Sequence, residues 1–138
     1  MKKEEIVAKK GLPAIGPYSQ AVKSGGFLFC SGHIGINPKT NQFAGNYIQS
    51  QTRQSFENLK EVLKAAGTNL DAILKMTVFL KNMDDFSAMN EIYATYFKKP
   101  YPARSTVEVA RLPKGALIEI ECIAKVKDMD CEDCDGCC

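Results

Sequence analysis

The sequence predicts an α+β fold: one mixed or mainly antiparallel sheet of six strands, with two helices packed on one of its faces. Three observations support this prediction. Several short runs alternate between apolar and polar residues, as half-buried strands do. Two longer runs have apolar residues at every third or fourth position, as helices with one buried stripe do. The runs follow one another in the order βββ, α, β, α, ββ with short connections, which suits a single two-layer domain.

The first strands follow an irregular loop. Residues 11–17, "GLPAIGP", contain prolines and glycines at four of seven positions, so they form a loop that ends at Tyr18. The stretch "YSQAVKSGGFLFCSG" predicts a β-hairpin, because Gly25 and Gly26 tolerate the positive φ angles of a two-residue turn. Residues 37–46, "NPKTNQFAGN", form a turn-rich connection.

The first helix is predicted from Ile48 to Ala66, with Gly67 as its natural C-terminal stop. The stretch "ILKMTVFLK" that follows alternates as a half-buried strand does. We expect one face of that strand to carry Leu74, Met76, Val78 and Leu80.

The second helix is predicted from about Asp84 to Phe97. Asn82 or Asp84 can cap its start, because the side chains of both residue types accept hydrogen bonds from free backbone N–H groups. Pro100 and Pro102 end it.

The last two strands lie in "ARSTVEVARLPKGALIEIECIAKV". In the second of them, one face is apolar and is expected to pack on the helices: Ile118, Ile120, Cys122, Ala124 and Val126. We expect Arg104 to share the opposite, uncovered face with Glu119, together with Phe79, Leu117 and Ile123. Such a face is too apolar for plain exposure and too charged for a core, which indicates a subunit interface that contains a polar pocket. Closed cyclic self-association would cover it.

Arg104 and Glu119 are the candidates for chemistry. The planar guanidinium of Arg104 can bind a carboxylate through two parallel hydrogen bonds, although for the residue taken alone a weak surface ion pair with Glu119 or Glu121 is the simpler explanation. A carboxylate across the sheet from an arginine can position a water molecule and accept its proton. Alternation does not choose between Glu119 and Glu121.

Three further residues lie where a ligand could bind. Tyr18 ends a stiff loop and could cover a pocket, although most tyrosines at strand starts only pack. In "CSGHIG", Ser31 offers a hydroxyl and Gly32 an amide that a ligand could approach closely, because glycine has no Cβ. His33 is the only histidine, which excludes a histidine metal cluster, and no phosphate-binding glycine motif is present. We expect no cofactor.

The cysteines fall into two groups. Cys30 and Cys122 lie in strand-like runs, where a reduced cysteine behaves as a small hydrophobe. The others follow the last strand in "CEDCDGCC", which divides the chain into a single domain of residues 1–127 and a cysteine-rich tail of residues 128–138. We interpret the tail as mobile and oxidisable, with a metal site as the weaker alternative, and its cysteines are Cys131, Cys134, Cys137 and Cys138.

Composition limits the possible functions. The 138 residues are enough for one domain, and the net charge of +2 is too small to indicate a nucleic-acid-binding surface. No apolar stretch approaches the roughly 20 residues of a membrane helix, and the charged start "MKKEEIVAKK" is unlike a secretory signal. We therefore expect a cytoplasmic protein that contacts neither nucleic acid nor membrane.

Five stretches of the chain together resemble the Rid family (RidA or YjgF-like proteins), and especially its RidA subgroup of enamine and imine deaminases. They are "AIGPYSQAV", "FCSGHIGINPKTN", "QTRQSFENLKEVLKAAG", "ILKMTVFLKNMDDFSAMNEIYATYF" and "YPARSTVEVARLPKGALIEIECIA". The resemblance extends from about Ile6 to Lys127. It implies a chorismate-mutase-like α+β fold and a homotrimer whose sheets form a central barrel, with ligand sites between subunits.

The resemblance also implies roles for particular residues. "PARS" places a carboxylate-binding arginine at Arg104, and "KGALIEIE" places a water-handling glutamate at Glu119. "GPYSQ" and "CSGHIG" imply substrate-binding roles for Tyr18, Ser31 and Gly32. "MNEIY" places Asn90 near the site. Thr106 is expected in the substrate pocket at a position where several members of the family have cysteine.

The function implied is hydrolysis of short 2-imino acids to 2-keto acids and ammonium, with 2-iminopropanoate and 2-iminobutanoate as substrates. A protonated imine is already electrophilic, so no cofactor would be required. One alternative is a non-catalytic module that binds small carboxylates and regulates another process. A ribonuclease is a further alternative, which the near-neutral charge makes less attractive.

Overall fold

Six strands form one mixed sheet in the computed structural model, which describes residues 2–127. The strands of this sheet are β1 (Glu4–Ile6), β2 (Ala21–Ser24), β3 (Phe27–Ile34), β6 (Ile73–Leu80), β7 (Ala103–Glu108) and β8 (Ile118–Lys125). The order across the sheet is β1-β2-β3-β8-β6-β7; β6 and β7 are parallel neighbours, whereas the other pairs are antiparallel. A small separate hairpin joins β4 (Ile36–Asn37) to β5 (Gln42–Phe43). The helices are α1 (Ile48–Ala65) and α2 (Phe86–Ala94).

The predicted α+β class and the predicted mixed sheet are confirmed. The hairpin between β2 and β3 turns at Gly25 and Gly26, whose φ angles are 57° and 83°. Both values lie in the left-handed region that glycine adopts without steric cost. The turn sets the register of the sheet from its first long strand.

Helix α1 packs on the sheet through the predicted apolar stripe. Phe56, Leu59, Val62 and Leu63 are all fully buried. Gly67, at a φ of 78°, follows the helix and ends it as expected.

Strand β6 alternates as predicted except at its start. Met76, Val78 and Leu80 are fully buried, but Leu74 is 42% exposed, so the prediction that it shares their face is wrong. The pairing of β6 with β8 shifts between Ile73 and Lys75, which places Ile73 in the core instead. A bulge of this kind turns a side chain to the other face of the sheet, and the alternation of apolar and polar residues in the sequence does not reveal it.

Helix α2 is shorter than predicted at both ends. A 3₁₀ turn, Met83–Asp85, precedes it, and Asn82 accepts a hydrogen bond from the backbone N–H of Asp84 at 2.9 Å. The helix ends at Ala94 instead of Phe97. The aromatic residues beyond its end still pack: the rings of Phe56 and Tyr96 stack with centroids 4.4 Å apart, and Phe97 meets Phe56 edge to face at 5.7 Å.

Strand β8 presents the two predicted faces, but β7 does not. Arg104 lies opposite Met76, and Thr106 lies opposite Val78, in the parallel pairing of β7 with β6. Directly paired residues point to the same side of a sheet, and Met76 and Val78 are buried beneath the helices. Arg104 and Thr106 therefore lie on the helix-covered side, and the prediction that Arg104 shares a face with Glu119 is wrong.

The uncovered face of the sheet is nevertheless mixed, as predicted. Glu119 pairs with Phe79, which pairs in turn with Val107 on the edge strand. Phe29 is 47% exposed and Val107 is 42% exposed on this face. Large apolar side chains exposed on one sheet face are typical of a protein interface.

Among residues 2–127, no helix is long and apolar enough to cross a membrane. The tail cysteines, for which a metal site is the weaker alternative, lie outside the described residues: Cys131, Cys134, Cys137 and Cys138. Within the described range, no group of three or more His, Cys, Asp or Glu side chains is arranged to hold a metal ion.

Candidate functional site

Glu119 lies half-buried on the uncovered face of β8, between Ile34 of β3 and Phe79 of β6. Burial raises the pKa of its carboxyl group above the ordinary value of 4.5, and the negative charge of Glu121 raises it further. Both effects disfavour the charged form. A carboxylate of this kind is a stronger base than an exposed one, which suits it to accept a proton from water.

The backbone beside Glu119 is shaped by a bulge in β3. The pairing of β3 with β8 shifts between Cys30 and His33, so Ser31 and Gly32 lie outside the regular ladder. A Cβ atom at position 32 would collide with the carboxylate of Glu119. Glycine is therefore required for the Glu119 side chain to lie across this backbone.

Ser31 and Tyr18 lie on the same side of the molecule as Glu119. The Ser31 hydroxyl donates a hydrogen bond to the carbonyl of Ser19 at 2.6 Å, which leaves its oxygen lone pairs able to accept one. The Tyr18 hydroxyl accepts a weak hydrogen bond from the backbone N–H of Ile15 at 3.3 Å, and the tyrosine is 53% exposed. The loop therefore presents the tyrosine ring at the mouth of a pocket.

These residues line one cavity of about 440 Å³, hereafter the Glu119 cavity. Its lining includes Tyr18, Ser31, Gly32, Asn41, Lys114 and Glu119. The structure thus brings together four of the residues that the sequence predicted for the site. Asn41 and Lys114 were not predicted.

Arg104 lies elsewhere, against α2. Its Nη1 donates a hydrogen bond to Asn90 Oδ1 at 2.7 Å. The centre of its guanidinium lies 4.6 Å from the ring centroid of Tyr93 and 5.4 Å from that of Phe86. One strong hydrogen bond and two aromatic faces hold the guanidinium in place while leaving other N–H groups free for a ligand.

A second cavity of about 450 Å³, hereafter the Arg104 cavity, opens beside this cluster. Its lining includes Asn90, Tyr93, Phe97, Tyr101, Pro102 and Arg104. Thr106, two residues along the strand from Arg104, does not line it. The Thr106 hydroxyl is buried and has no hydrogen-bond partner among the described residues. Thr106 therefore lies beneath the site, and its contact with a ligand stays a prediction.

The predicted site is thus divided within one chain. Glu119, Tyr18, Ser31 and Gly32 form one half on the uncovered face, whereas Arg104 and Asn90 form the other half on the helix-covered side of the edge strand. A ligand that contacts both Arg104 and Glu119 of a single chain would have to pass through or around the sheet.

Three buried amides that position the site were missed by the sequence reasoning. Gln20 accepts from the N–H of Ala8 at 2.7 Å and donates to the carbonyl of Leu12 at 2.8 Å, which fixes the loop before Tyr18. Gln51 accepts from the N–H of Leu117 at 2.9 Å, next to the start of β8. A buried amide with both ends bonded holds the backbone segments that it joins.

Asn58 is the third amide. It donates to the carbonyls of Ile34 at 3.0 Å and Ile36 at 2.8 Å, and so fixes the chain after the bulge. A signal for it exists in the sequence: Gln51, Ser55 and Asn58 repeat at helical spacing beside the apolar stripe of α1. All three are buried.

The fold and the two cavities define a class of protein: a small α+β domain with a half-buried carboxylate on its open sheet face and a clamped arginine on its edge strand. The sequence model of the family described as Endoribonuclease L-PSP matches residues 8–126. The chain belongs to this family, which is the YjgF/Rid family, as the resemblance predicted.

Two curated relatives are similar to this chain along most of its length. A RutC family protein of Pyrococcus horikoshii is 54% identical over 122 residues, which cover 88% of this chain and 97% of the relative. A protein of Dermatophagoides farinae named 2-iminobutanoate/2-iminopropanoate deaminase is 43% identical over 113 residues, covering 82% of this chain and 88% of the relative. The likeness therefore includes almost the whole described domain.

A solved structure is similar as well. The structure of E. coli TdcF with bound serine superimposes with a TM-score of 0.84 and 43% identity, covering 91% of this chain and all of that one. The fold is therefore shared along its length with a protein whose structure contains a small amino acid.

Proposed function

We propose that this protein is a hydrolytic deaminase of short 2-imino acids, with 2-iminopropanoate and 2-iminobutanoate as its substrates. Water adds to the imine carbon, and the resulting carbinolamine loses ammonia to give the 2-keto acid and ammonium. The observation that carries the proposal is the presence of both a clamped arginine and a half-buried, raised-pKa carboxylate in a chain whose relative is named for this reaction.

Arg104 binds the substrate carboxylate in this proposal. Its guanidinium is fixed by Asn90 and by the ring of Tyr93, so it does not have to lose rotamer freedom when the ligand binds. The N–H groups that do not contact Asn90 form two parallel hydrogen bonds to the carboxylate. Fixing the carboxylate orients the imine carbon next to it, which is a positioning effect on the rate.

Glu119 holds the attacking water and takes up its proton. The raised pKa of its carboxyl group, caused first by burial and then by Glu121, brings the base closer to the pH at which it must accept a proton. Positioned general bases typically contribute about 10² to 10⁴ in rate. The protonated Glu119 can then return the proton to the departing nitrogen.

The bulge supports this chemistry from one side. Gly32 leaves room for the carboxylate of Glu119, and the Ser31 oxygen can accept a hydrogen bond from the protonated imine. Tyr18 covers the cavity and limits the access of bulk water.

The two halves of the site are joined between chains in this proposal. Arg104 and Glu119 of one chain lie on opposite sides of the sheet, and the uncovered face carries exposed Phe29 and Val107. Packing the uncovered faces of three copies around a common axis, as a homotrimer with a central barrel, buries these side chains and lets Arg104 of one copy approach Glu119 of the next. The ligand of the assembled site is then a small carboxylate.

Turnover is the test of the deaminase. A serine dehydratase generates 2-aminoacrylate, which tautomerises to 2-iminopropanoate, and semicarbazide competes with the protein for the imine. We expect wild-type protein to suppress the semicarbazone and accelerate pyruvate release, whereas Arg104→Lys, which loses the planar fork, loses most of this effect. Unchanged keto-acid release with wild-type protein would exclude the deaminase.

Assembly is tested separately, by sedimentation at micromolar concentration. We expect a species of three chains, each of 15.2 kDa. A monomer with full activity would refute a site shared between copies. Binding of pyruvate without turnover would instead favour the regulatory carboxylate-binding module, and cleavage of an added RNA would favour the activity in the family description.

A further inference from the structure

The Glu119 cavity contains one cationic side chain that the proposed reaction does not use, Lys114. The lining of this cavity includes a single carboxylate, Glu119, and a single cation, Lys114. Among the described residues Lys114 forms no salt bridge, since the three that occur all involve other lysines. Its ammonium group is thus available to a ligand.

The backbone of Lys114 has an unusual conformation. Its φ of 56° lies in the left-handed region, which glycine or asparagine would adopt at lower cost than lysine. Asn41, at a φ of 59°, is the other non-glycine residue with positive φ among residues 2–127, and it lines the same cavity. Strained residues concentrate at functional sites, where the surrounding structure holds them in place.

The turn around Lys114 is firmly anchored. The N–H of Ala116 donates to the carbonyl of Pro113 at 3.1 Å, and Ala116 itself is fully buried. The next residue, Leu117, donates its N–H to the buried Gln51 at 2.9 Å. The lysine is therefore presented from a fixed backbone five residues before Glu119 in the sequence.

The size of the cavity adds to this argument. A volume of about 440 Å³ lies within the roughly 300–1,000 Å³ typical of pockets for drug-sized ligands, and far exceeds what a three-carbon imino acid fills. Room therefore remains in the Glu119 cavity for a longer substrate side chain. Lys114 supplies a positive charge in the lining of this cavity. An anionic group at the end of that side chain fits this arrangement.

We propose that Lys114 is a specificity-determining residue that binds the distal carboxylate of 2-imino dicarboxylic acids of four or five carbons. This inference rests on the proposed function, because Arg104 takes the first carboxylate and Glu119 delivers water to the imine carbon between the two. The reaction is the same: the imine and water give a 2-keto dicarboxylic acid and ammonium.

The test compares two substrates on full-length protein. Flavin-dependent amino acid oxidases generate 2-iminosuccinate from aspartate and 2-iminopropanoate from alanine, and semicarbazide trapping gives kcat/KM for each. Lys114 is exposed. We expect Lys114→Met to lower the ratio of kcat/KM for the dicarboxylic over the monocarboxylic imine about twofold to fivefold, as the loss of one exposed ion pair does. Lys114→Arg should retain the ratio, and so should Lys64→Met, which removes the same charge from the last turn of α1.

A binding measurement separates this inference from the proposed function. Calorimetry with 2-ketoglutarate and 2-ketobutyrate requires no turnover, and we expect the preference for the dicarboxylate to fall about twofold to fivefold in Lys114→Met and to weaken with added salt. A protein that binds in this way without hydrolysing either imine would refute the deaminase and leave the role of Lys114 standing. An unchanged preference in Lys114→Met, or an equal loss in Lys64→Met, would overturn the role of Lys114.

Discussion

Gly32 and Glu119 are in direct contact across two neighbouring strands, and the missing side chain of the one makes room for the carboxylate of the other. The contact arises because a bulge in β3 brings Gly32 out of the ladder beside Glu119. The position of the proposed base therefore depends on a residue without a side chain.

Replacing Gly32 by alanine is expected to displace the Glu119 carboxylate and to lower kcat by at least tenfold, because a misplaced base loses its alignment with water. The measurement is kcat with 2-iminopropanoate, accompanied by a circular dichroism melt. The control is Gly67→Ala, which adds the same methyl group at a left-handed position with nothing within 4 Å. That control should lose stability but retain kcat. Full activity in Gly32→Ala would show that Glu119 does not act from its observed position.

Glu121 is expected to influence the pH dependence of the proposed reaction through Glu119. Its negative charge, after burial, is the second cause of the raised pKa of Glu119. A base that must be ionised loses activity as the pH falls through its pKa, so activity should show an acid limb above pH 4.5. Glu121→Gln removes the repulsion, lowers the pKa of Glu119 and should shift this limb to lower pH.

The profile of kcat/KM against pH measures the shift. Glu5→Gln, which neutralises an exposed carboxylate on β1, is the control and should leave the limb in place. An acid limb that moves to higher pH in Glu121→Gln would contradict the assignment of Glu119 as the base.

Asn90 is expected to act by holding Arg104. Without the 2.7 Å hydrogen bond to Asn90 Oδ1, the guanidinium keeps only its contacts with Tyr93 and Phe86. Asn90→Ala should therefore raise KM for 2-iminopropanoate by at least about tenfold, since a hydrogen bond to a charged group contributes roughly 1.5–3 kcal/mol when intact. Ser87→Ala, on the exposed side of the same helix, should have no effect. A loss of kcat at unchanged KM would mean that Asn90 contacts the reacting atoms instead.

Much of the fold follows from periodicity in the sequence, and the reason for the main error is physical. Strand β8 has one purely apolar face, so its orientation could be predicted. Strand β7 has none: Arg104 and Thr106 alternate with Ser105 and Val107, and neither set marks the core. Tertiary packing determines which face of β7 Arg104 occupies, because the ring of Tyr93 and the amide of Asn90 provide an apolar and a polar surface for its side chain.

The candidate site residues were proposed from motifs, but their division between two cavities was not predicted. The motif containing Arg104 and the motif containing Glu119 lie on strands that are not neighbours, since β6 separates β7 from β8. Sequence order carries no information on which faces of those strands the two side chains occupy. The raised pKa of Glu119 also depends on burial, which only the assembled sheet determines.

His33 makes the stability of the fold depend on pH. Its side chain is 3% exposed, and burial lowers its pKa from 6.5 to about 4. In the unfolded chain His33 therefore becomes protonated as the pH falls below 6.5, whereas in the folded chain it becomes protonated only near pH 4. The contribution of His33 is fully present above pH 6.5 and is lost as the pH falls toward 4, a decrease of about 3 kcal/mol in the free energy of unfolding. Glu119 acts in the opposite direction, because its raised pKa favours the folded state when it is protonated.

Urea denaturation from pH 7.5 to 4.5 measures this loss, and the difference between wild-type protein and His33→Gln isolates the histidine from Glu119. We expect the free energy of unfolding of wild-type protein to fall more steeply with decreasing pH than that of the variant. Because the chain has one histidine, the NMR titration of a tag-free protein reports the folded pKa even if the variant does not fold. A folded pKa near 6.5 would contradict the burial of a neutral imidazole, and with it the packing of β3 beneath α1.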